Sequence, residues 1–431
     1  MSKQPNIVIV GGGVAGMELA TQLGHKLGRT QKAIITLIDK DSSHIWKPIL
    51  HKIAAGTNDL SQQQVSFVAH ASQHYFTYSP GEMSGIDREK KLVFLEPITM
   101  MDGSVAVEKR SLPYDVLIMA VGSCANDFNI PGIAQYCYFI DSRIQARMFN
   151  RLVRMHLFRC AMNNDPLTIS VIGGGATGVE LVAELAQLVE IAESYRFDLN
   201  KKIQINLIEN GPFLLPAFPQ KISVAVEEQL KKLGIHVYTN TQVMAAEKEG
   251  LQLSDGQFLA STLMVWAAGV KGPDFLKNMD HLATANNNML CVKPTLQTTL
   301  DDSIFAIGDC ASFPTDTSKN ATLPPTAQVA HQQASYLIKY IPLWLEGKFL
   351  PPFTYRHLGG IVSLGKYNAF GSLGKYGMFP GGFIQGKIAQ YTYDFIYRSH
   401  QKRLHGIIKG YLLWLSERIN KIIRPQAKLD Q

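Results

Sequence analysis

None of the five cysteines (Cys124, Cys137, Cys160, Cys291, Cys310) forms a Cys-x-x-Cys pair, which excludes a zinc ribbon and a thioredoxin-type motif. The odd, scattered count suits a reducing compartment and leaves these residues to pack as small hydrophobes. Long apolar runs are also missing. Nothing approaches the ~18 uncharged apolar residues of a membrane-crossing helix. No low-complexity tract occurs. The opening residues run straight into a strand pattern, without the apolar segment and cleavage site of a signal peptide. What is present is a globular composition: 431 residues, 46% hydrophobic and 18% charged, enough for two or three domains. A disordered chain, a coiled coil and a disulfide-stapled miniprotein are excluded.

Acid is scarce at the end of the chain. Between residues 381 and 425, Lys387, Arg398, Lys402, Arg403, Lys409, Arg418, Lys421 and Arg424 face only Asp394 and Glu417, which supplies six of the seven net positive charges. Such a tail attracts nucleic acid or an acidic membrane surface. Leu404, Ile407, Ile408, Tyr411, Leu415, Ile419 and Ile422 trace one helical stripe, with Lys and Arg over much of the other face. Trp414 and Tyr411 suit the headgroup level. Helices of this kind lie in the plane of a bilayer. Tyr391–Tyr397 is read as a second such element. A wide aliphatic face without a recognition motif speaks against nucleic acid. The competing reading is a helix docked on the protein's own core.

Elsewhere, short β-branched runs alternate with helical patterns, as in parallel α/β architecture. The strand-like runs are 7–10, 34–38, 116–120, 169–172, 203–208, 264–267 and 304–307. Candidate hinges are 130–132, 269–273 and 351–352. One unit occurs twice, about 160 residues apart: strand, glycine turn, helix, strand, acid. The first copy places Gly11, Gly13 and Gly16 after a buried strand, with Asp39 closing the next. The second places Gly173, Gly175 and Gly178, with Glu209. The first glycine permits the tight turn, the second lets backbone approach a pyrophosphate, and the third lets helix and strand pack. Free N–H groups at the helix N-terminus favour the phosphates, and the acid accepts ribose hydroxyls. Glu209 fits a free 2′-hydroxyl and repels a 2′-phosphate, so the second site is expected to take NADH. Two such sites suggest a flavoprotein that binds FAD and NADH, between which a hydride crosses.

Thr295–Ala311 is a strand ending in Gly308-Asp309, and resembles the second flavin fingerprint of two-dinucleotide reductases. Tyr114–Ser123, with Ala120 and Gly122, resembles their domain-crossing strand. Val265–Val270, with Ala268 and Gly269, resembles the return crossing. Disulfide reductases of that superfamily place a redox cysteine pair shortly after the first glycine turn. This chain has no Cys before Cys124. It has none after Cys310, where sulfide:quinone oxidoreductases use a late cysteine. The segments His44–Gly56 and Pro324–Gln333 resemble type II NADH:quinone oxidoreductases, single-chain respiratory NADH dehydrogenases, in particular the gammaproteobacterial ones. The likeness runs from Ile7 to Arg424.

The resemblance implies two Rossmann-type domains plus a C-terminal region ending in amphipathic membrane-surface helices. Residues 1–140 and 291–350 would form the FAD domain, 141–290 the NAD(H) domain and 351–431 the membrane-association region. Ala327 and Gln328 would sit beside the flavin, and Gln328 and His331 would border a membrane quinone. A satisfied helix histidine is the competing reading of His331. Lys47 would face FAD oxygens, and Met83 would present its backbone to the adenine. Glu180 is read either as an acid that positions nicotinamide or relays protons, or as a first-turn acid complementing the helix dipole. Glu184 is read as a solvated helix acid. Trp46 is a pocket wall or core. No acid/base pair or transmembrane proton path is visible, so no proton pumping is expected. The enzyme would sit peripherally on the cytoplasmic face of the bacterial inner membrane, and homodimers are common in the resembled family. The rivals are a soluble NADH:ferredoxin or dye reductase, against which the basic tail counts, and a redox-sensing flavoprotein without turnover.

Overall fold

A computed structural model of the chain describes residues 4–58, 64–194, 199, 202–316, 321–374 and 382–423. Arg424 and the side chains of Lys421 and Ile422, all part of the expected tail, lie outside the described residues. The chain divides into two compact units. The first comprises Met1–Trp46, Gln63–Cys124 and Val270–Tyr355, and the second Lys47–Gln62, Ala125–Gly269 and Arg356–Gln431. These limits differ from the expected 140/141, 290/291 and 350/351. The chain leaves and re-enters the first unit directly beyond the strands Val116–Met119 and Leu263–Trp266. The segment after Trp46, expected in the first domain, belongs to the second.

The core of the first unit is a parallel sheet in the order Ile304–Ala306, Val116–Met119, Asn6–Val10, Ile34–Asp39, Thr77–Pro80. Its central strands are near-continuous Val, Ile and Leu, as expected of strands covered on both faces. The order reverses at Asn6–Val10. Ligands of open α/β sheets bind beyond the carboxyl ends of the strands at such a switch point. The second unit repeats the plan in the order Ile235–Tyr238, Ile203–Ile208, Leu167–Ile172, Leu263–Trp266, again all parallel. All seven strand-like runs of the sequence are strands here. The edge strands Thr77–Pro80 and Ile235–Tyr238 complete the sheets.

The second unit ends in the helical segment Lys387–Ile423, broken at Gly406 (φ 78°, ψ 177°), a conformation open to glycine at little cost. The single stripe expected from 404 to 422 is therefore split between two arms. Arg398 and Gln401 of the first arm reach Glu417 of the second at 2.5 and 3.2 Å, so the segment folds back as a hairpin. Leu404 is buried at the bend, whereas Ile408 is 78% exposed, and Ile407, Tyr411, Leu415 and Ile419 also face outward. Apart from Leu404, the described side chains of the stripe are therefore not docked on the core. Among the described residues, no helix is long and apolar enough to cross a membrane.

Candidate active site: two glycine turns and their supports

The two turns have the same construction. Gly11 and Gly173 have φ of 101° and 112°, which other residues rarely adopt. A Cβ at Gly16 would run into the Gly11 carbonyl, and one at Gly178 into the Gly173 carbonyl. At Gly13 and Gly175 a Cβ would meet nothing within 4 Å. Those two positions open the cradle where a pyrophosphate would approach the helices Val14–Leu23 and Ala176–Ser194. The acids close each cradle alike. Asp39 accepts the Gly12 amide at 2.5 Å and the Asp41 amide at 2.8 Å. Glu209 accepts the Gly174 and Gly211 amides, both at 2.7 Å. Each carboxylate is thus fixed and keeps lone pairs for ribose hydroxyls. Burial raises the Asp39 pKa despite those amides. The residues present at both turns fit the pyrophosphate and ribose of an adenine dinucleotide such as FAD or NADH.

The other expected contacts fall around the same ends. Ala120 lies against Gly11, and Ala268 against Gly173, the latter at 2.8 Å from a built Cβ. Gly122 and Gly269 follow them. The Gly81 amide donates to the Asp39 carbonyl at 3.0 Å, which holds the start of strand Met83–Asp87 near that acid. Asp309 accepts the Ser123 hydroxyl at 3.1 Å. The Gly308 amide donates to buried Gln333 at 2.6 Å, tying the helix Ala327–Leu345 to the Gly308-Asp309 turn. Thr326 caps that helix through the Val329 amide. Ala327 is its first residue. Gln328 accepts the Tyr355 hydroxyl at 2.7 Å, and His331 Nδ1 lies 2.5 Å from the buried Glu18 carboxylate. Lys47 is the first residue of the segment Lys47–Gln62, which belongs to the second unit. Trp46 is core.

Glu180 is not a first-turn acid. The helix begins at Ala176, so Glu180 is its fifth residue, buried, and its Oε1 accepts the Ser363 amide at 2.9 Å. Burial raises its pKa to about 8, against the lowering effect of that amide and of Lys52. His51 Nδ1 lies 3.5 Å away, but burial and Lys52 hold His51 well below the usual imidazole range. Near neutral pH the two are therefore neutral neighbours and not an ion pair. Glu184 is also not solvated. It is buried, accepts the Thr57 hydroxyl and lies 4.0 Å from Lys52. Burial, Glu180, Glu184 and Asp394 together raise Tyr393.

Sequence reasoning assigned no role to Glu18, Tyr355, Gln333 or His51. Aligning the two copies would have found Glu18. It stands two residues after Gly16 as Glu180 stands two after Gly178, and both are buried beside a histidine. Nothing local marks Tyr355. Burial pushes Cys137 to about 12 and Cys310 to about 11, so neither is a thiolate at neutral pH.

Two parallel-sheet units, each opening on a fixed-acid glycine turn, define an oxidoreductase of the two-dinucleotide class. The profile of the pyridine nucleotide-disulphide oxidoreductases matches residues 5–334. A type II NADH:quinone oxidoreductase of Haemophilus influenzae is 42% identical, over 98% of this chain and 99% of that one. One of Staphylococcus aureus is 28% identical, over 85% and 89%. The solved structure of NDH2 from Plasmodium falciparum in complex with NADH superposes with a TM-score of 0.84 at 23% identity, covering 99% of this chain and 100% of that one. The chain belongs to the pyridine nucleotide-disulphide oxidoreductase family and, within it, to the type II NADH:quinone oxidoreductases.

Proposed function

We propose that the first unit holds FAD on Gly11, Gly13, Gly16 and Asp39, that the second holds NADH on Gly173, Gly175, Gly178 and Glu209, and that Gln328 borders the quinone. The chain is an FAD-dependent enzyme that oxidises NADH and reduces a quinone. Bound FAD supplies the carrier that takes a hydride from nicotinamide and passes two electrons on. The protein binds, orients and fixes charge. The observation that carries this reading is the duplicated cradle, open at Gly13 and Gly175 and closed by Asp39 and Glu209 through the corresponding amides of Gly12 and Gly174.

At the start of the helix Ala327–Leu345 the Tyr355 hydroxyl donates to the Gln328 carbonyl oxygen and so fixes the side chain that we assign to the quinone. The N-terminus of that helix favours negative charge nearby. Glu18 holds His331 through Nδ1, which fixes this helix against Val14–Leu23 and orients the imidazole, and His331 borders the quinone together with Gln328. Glu180 holds a proton at neutral pH beside the second glycine turn, and Met83 and Asp309 add contacts to FAD. The exposed apolar residues and cations of the hairpin suit the surface of an acidic bilayer, the source of the quinone. We place the enzyme peripherally on the cytoplasmic face of the bacterial inner membrane.

Mixing NADH with the purified yellow protein should bleach its flavin absorbance near-stoichiometrically. Turnover with a short-chain ubiquinone should fall at least tenfold in Gln328→Ala, and less in Tyr355→Phe, with flavin bleaching by NADH kept. A colour that persists under NADH would support a sensor. Bleaching without quinone turnover would support a different acceptor.

A further inference from the structure

Neither glycine turn uses the Arg143–Asn163 helix. Its sequence carries Arg143, Arg147, Arg151, Arg154 and Arg159 and no Asp or Glu. Ser142 and Gln145 form a capping box that fixes its start. One face is packed through Phe149, Val153 and Leu157. The opposite face is not the polar surface that a helix on a globular unit normally shows. Ile144, Met148, Met155, Phe158 and Met162 stand outward there at helical spacing, Met162 72% and Ile144 64% exposed. Arg147 and Arg151 are exposed between them, and Arg159 pairs with Asp165 at 2.9 Å. At 1.5 Å per residue this stripe is about 27 Å long.

We propose that this face is a second lipid-contacting surface, with Arg147 and Arg151 on anionic headgroups and Ile144, Met148, Met155 and Met162 among the acyl chains. This assignment rests on the membrane reading of the hairpin. Charge sets the occupant. A second copy would bring arginines against arginines, whereas an acidic bilayer offers anions and an apolar layer together. Unbranched methionines adapt to a fluid boundary. The two surfaces also share a support in the short helix Leu50–Ala55. Its Lys52 ammonium sits 4.8 Å over the Tyr393 ring of the hairpin, and its Ala54 carbonyl accepts the Asn150 amide of the arginine helix at 3.3 Å.

The test is flotation of the full chain with phosphatidylcholine vesicles, with and without phosphatidylglycerol. A basic residue at an anionic surface is worth about fivefold, so Arg147→Gln with Arg151→Gln should weaken binding to the anionic vesicles roughly 25-fold and leave neutral vesicles little changed. Met148→Gln with Met155→Gln should weaken both. Turnover of NADH with a water-soluble quinone should stay at the wild-type level in each, showing an intact fold. Wild-type flotation of both double variants, while Ile407→Gln with Ile408→Gln releases the protein, overturns the second surface and leaves the hairpin reading standing. A wild type that does not float overturns both. An arginine variant that floats normally but loses binding to polyglutamate assigns the face to an acidic protein and overturns the lipid assignment.

Discussion

Replacing Glu180 with Gln should flatten the pH dependence of stability. In the folded chain Glu180 releases its proton near pH 8, against 4.5 for the ordinary side chain. Between those values the folded state keeps a proton that the unfolded state has lost. Stability therefore falls as pH rises through that window and levels off above it. At about 1.4 kcal/mol per pH unit, the whole window is worth about 5 kcal/mol. With a melting entropy of about 2.1 cal/mol/K per residue over a chain of this length, that is about 5 °C in Tm. The groups facing Glu180 do not offset the effect. His51 and Tyr393 stay neutral, Lys52 lowers the Glu180 pKa, and Glu184 raises it. Glu180→Gln keeps an acceptor for the Ser363 amide and has no proton to lose. Thermal melts of the holoenzyme at intervals from pH 5 to 8.5 should show the wild type losing about 4–5 °C more than the variant. Parallel profiles would refute the reasoning, because they would mean that Glu180 titrates as an exposed acid does.

Further outcomes follow from the two cradles and from the helix that carries His331. Gly175→Val fills open space, so it should raise the KM for NADH at least tenfold while FAD content stays normal; Gly13→Val should instead yield protein poor in FAD, measured by absorbance of the purified chain. Glu209→Gln removes the charge that repels a 2′-phosphate, and the ratio of kcat/KM for NADH over NADPH should fall by about tenfold or more, which corresponds to about 1.4 kcal/mol. His331→Leu removes the hydrogen-bond partner that lies 2.5 Å from the buried Glu18 carboxylate, which should cost about 1–3 kcal/mol and be read as a lower midpoint in urea.

The hairpin shows how far periodicity reaches. The apolar stripe of the tail was legible, because residues three and four apart on a helix share a face. The break at Gly406 was not, since a glycine is tolerated in a helix or ends one according to what the next segment packs against. The fold-back on Arg398, Gln401 and Glu417 supplies that packing here. Glu184 makes the same point. Four residues past Glu180 it reads as a surface acid, yet both are buried by elements from other parts of the chain, including Thr57 and Ser363.

The order of residues by itself determined the two glycine turns, the strands that lead into them and the acids that close them. Each depends on backbone conformation and amide contacts within one strand-turn-helix-strand unit. Tertiary structure alone decided that His331 meets Glu18, that Tyr355 holds Gln328, that Gln333 holds the Gly308 turn, and that Lys47 falls in the second unit. The three contacts join residues tens to hundreds of positions apart. They are selected by which buried polar groups find partners when the sheets and helices pack, and no local spacing encodes that selection.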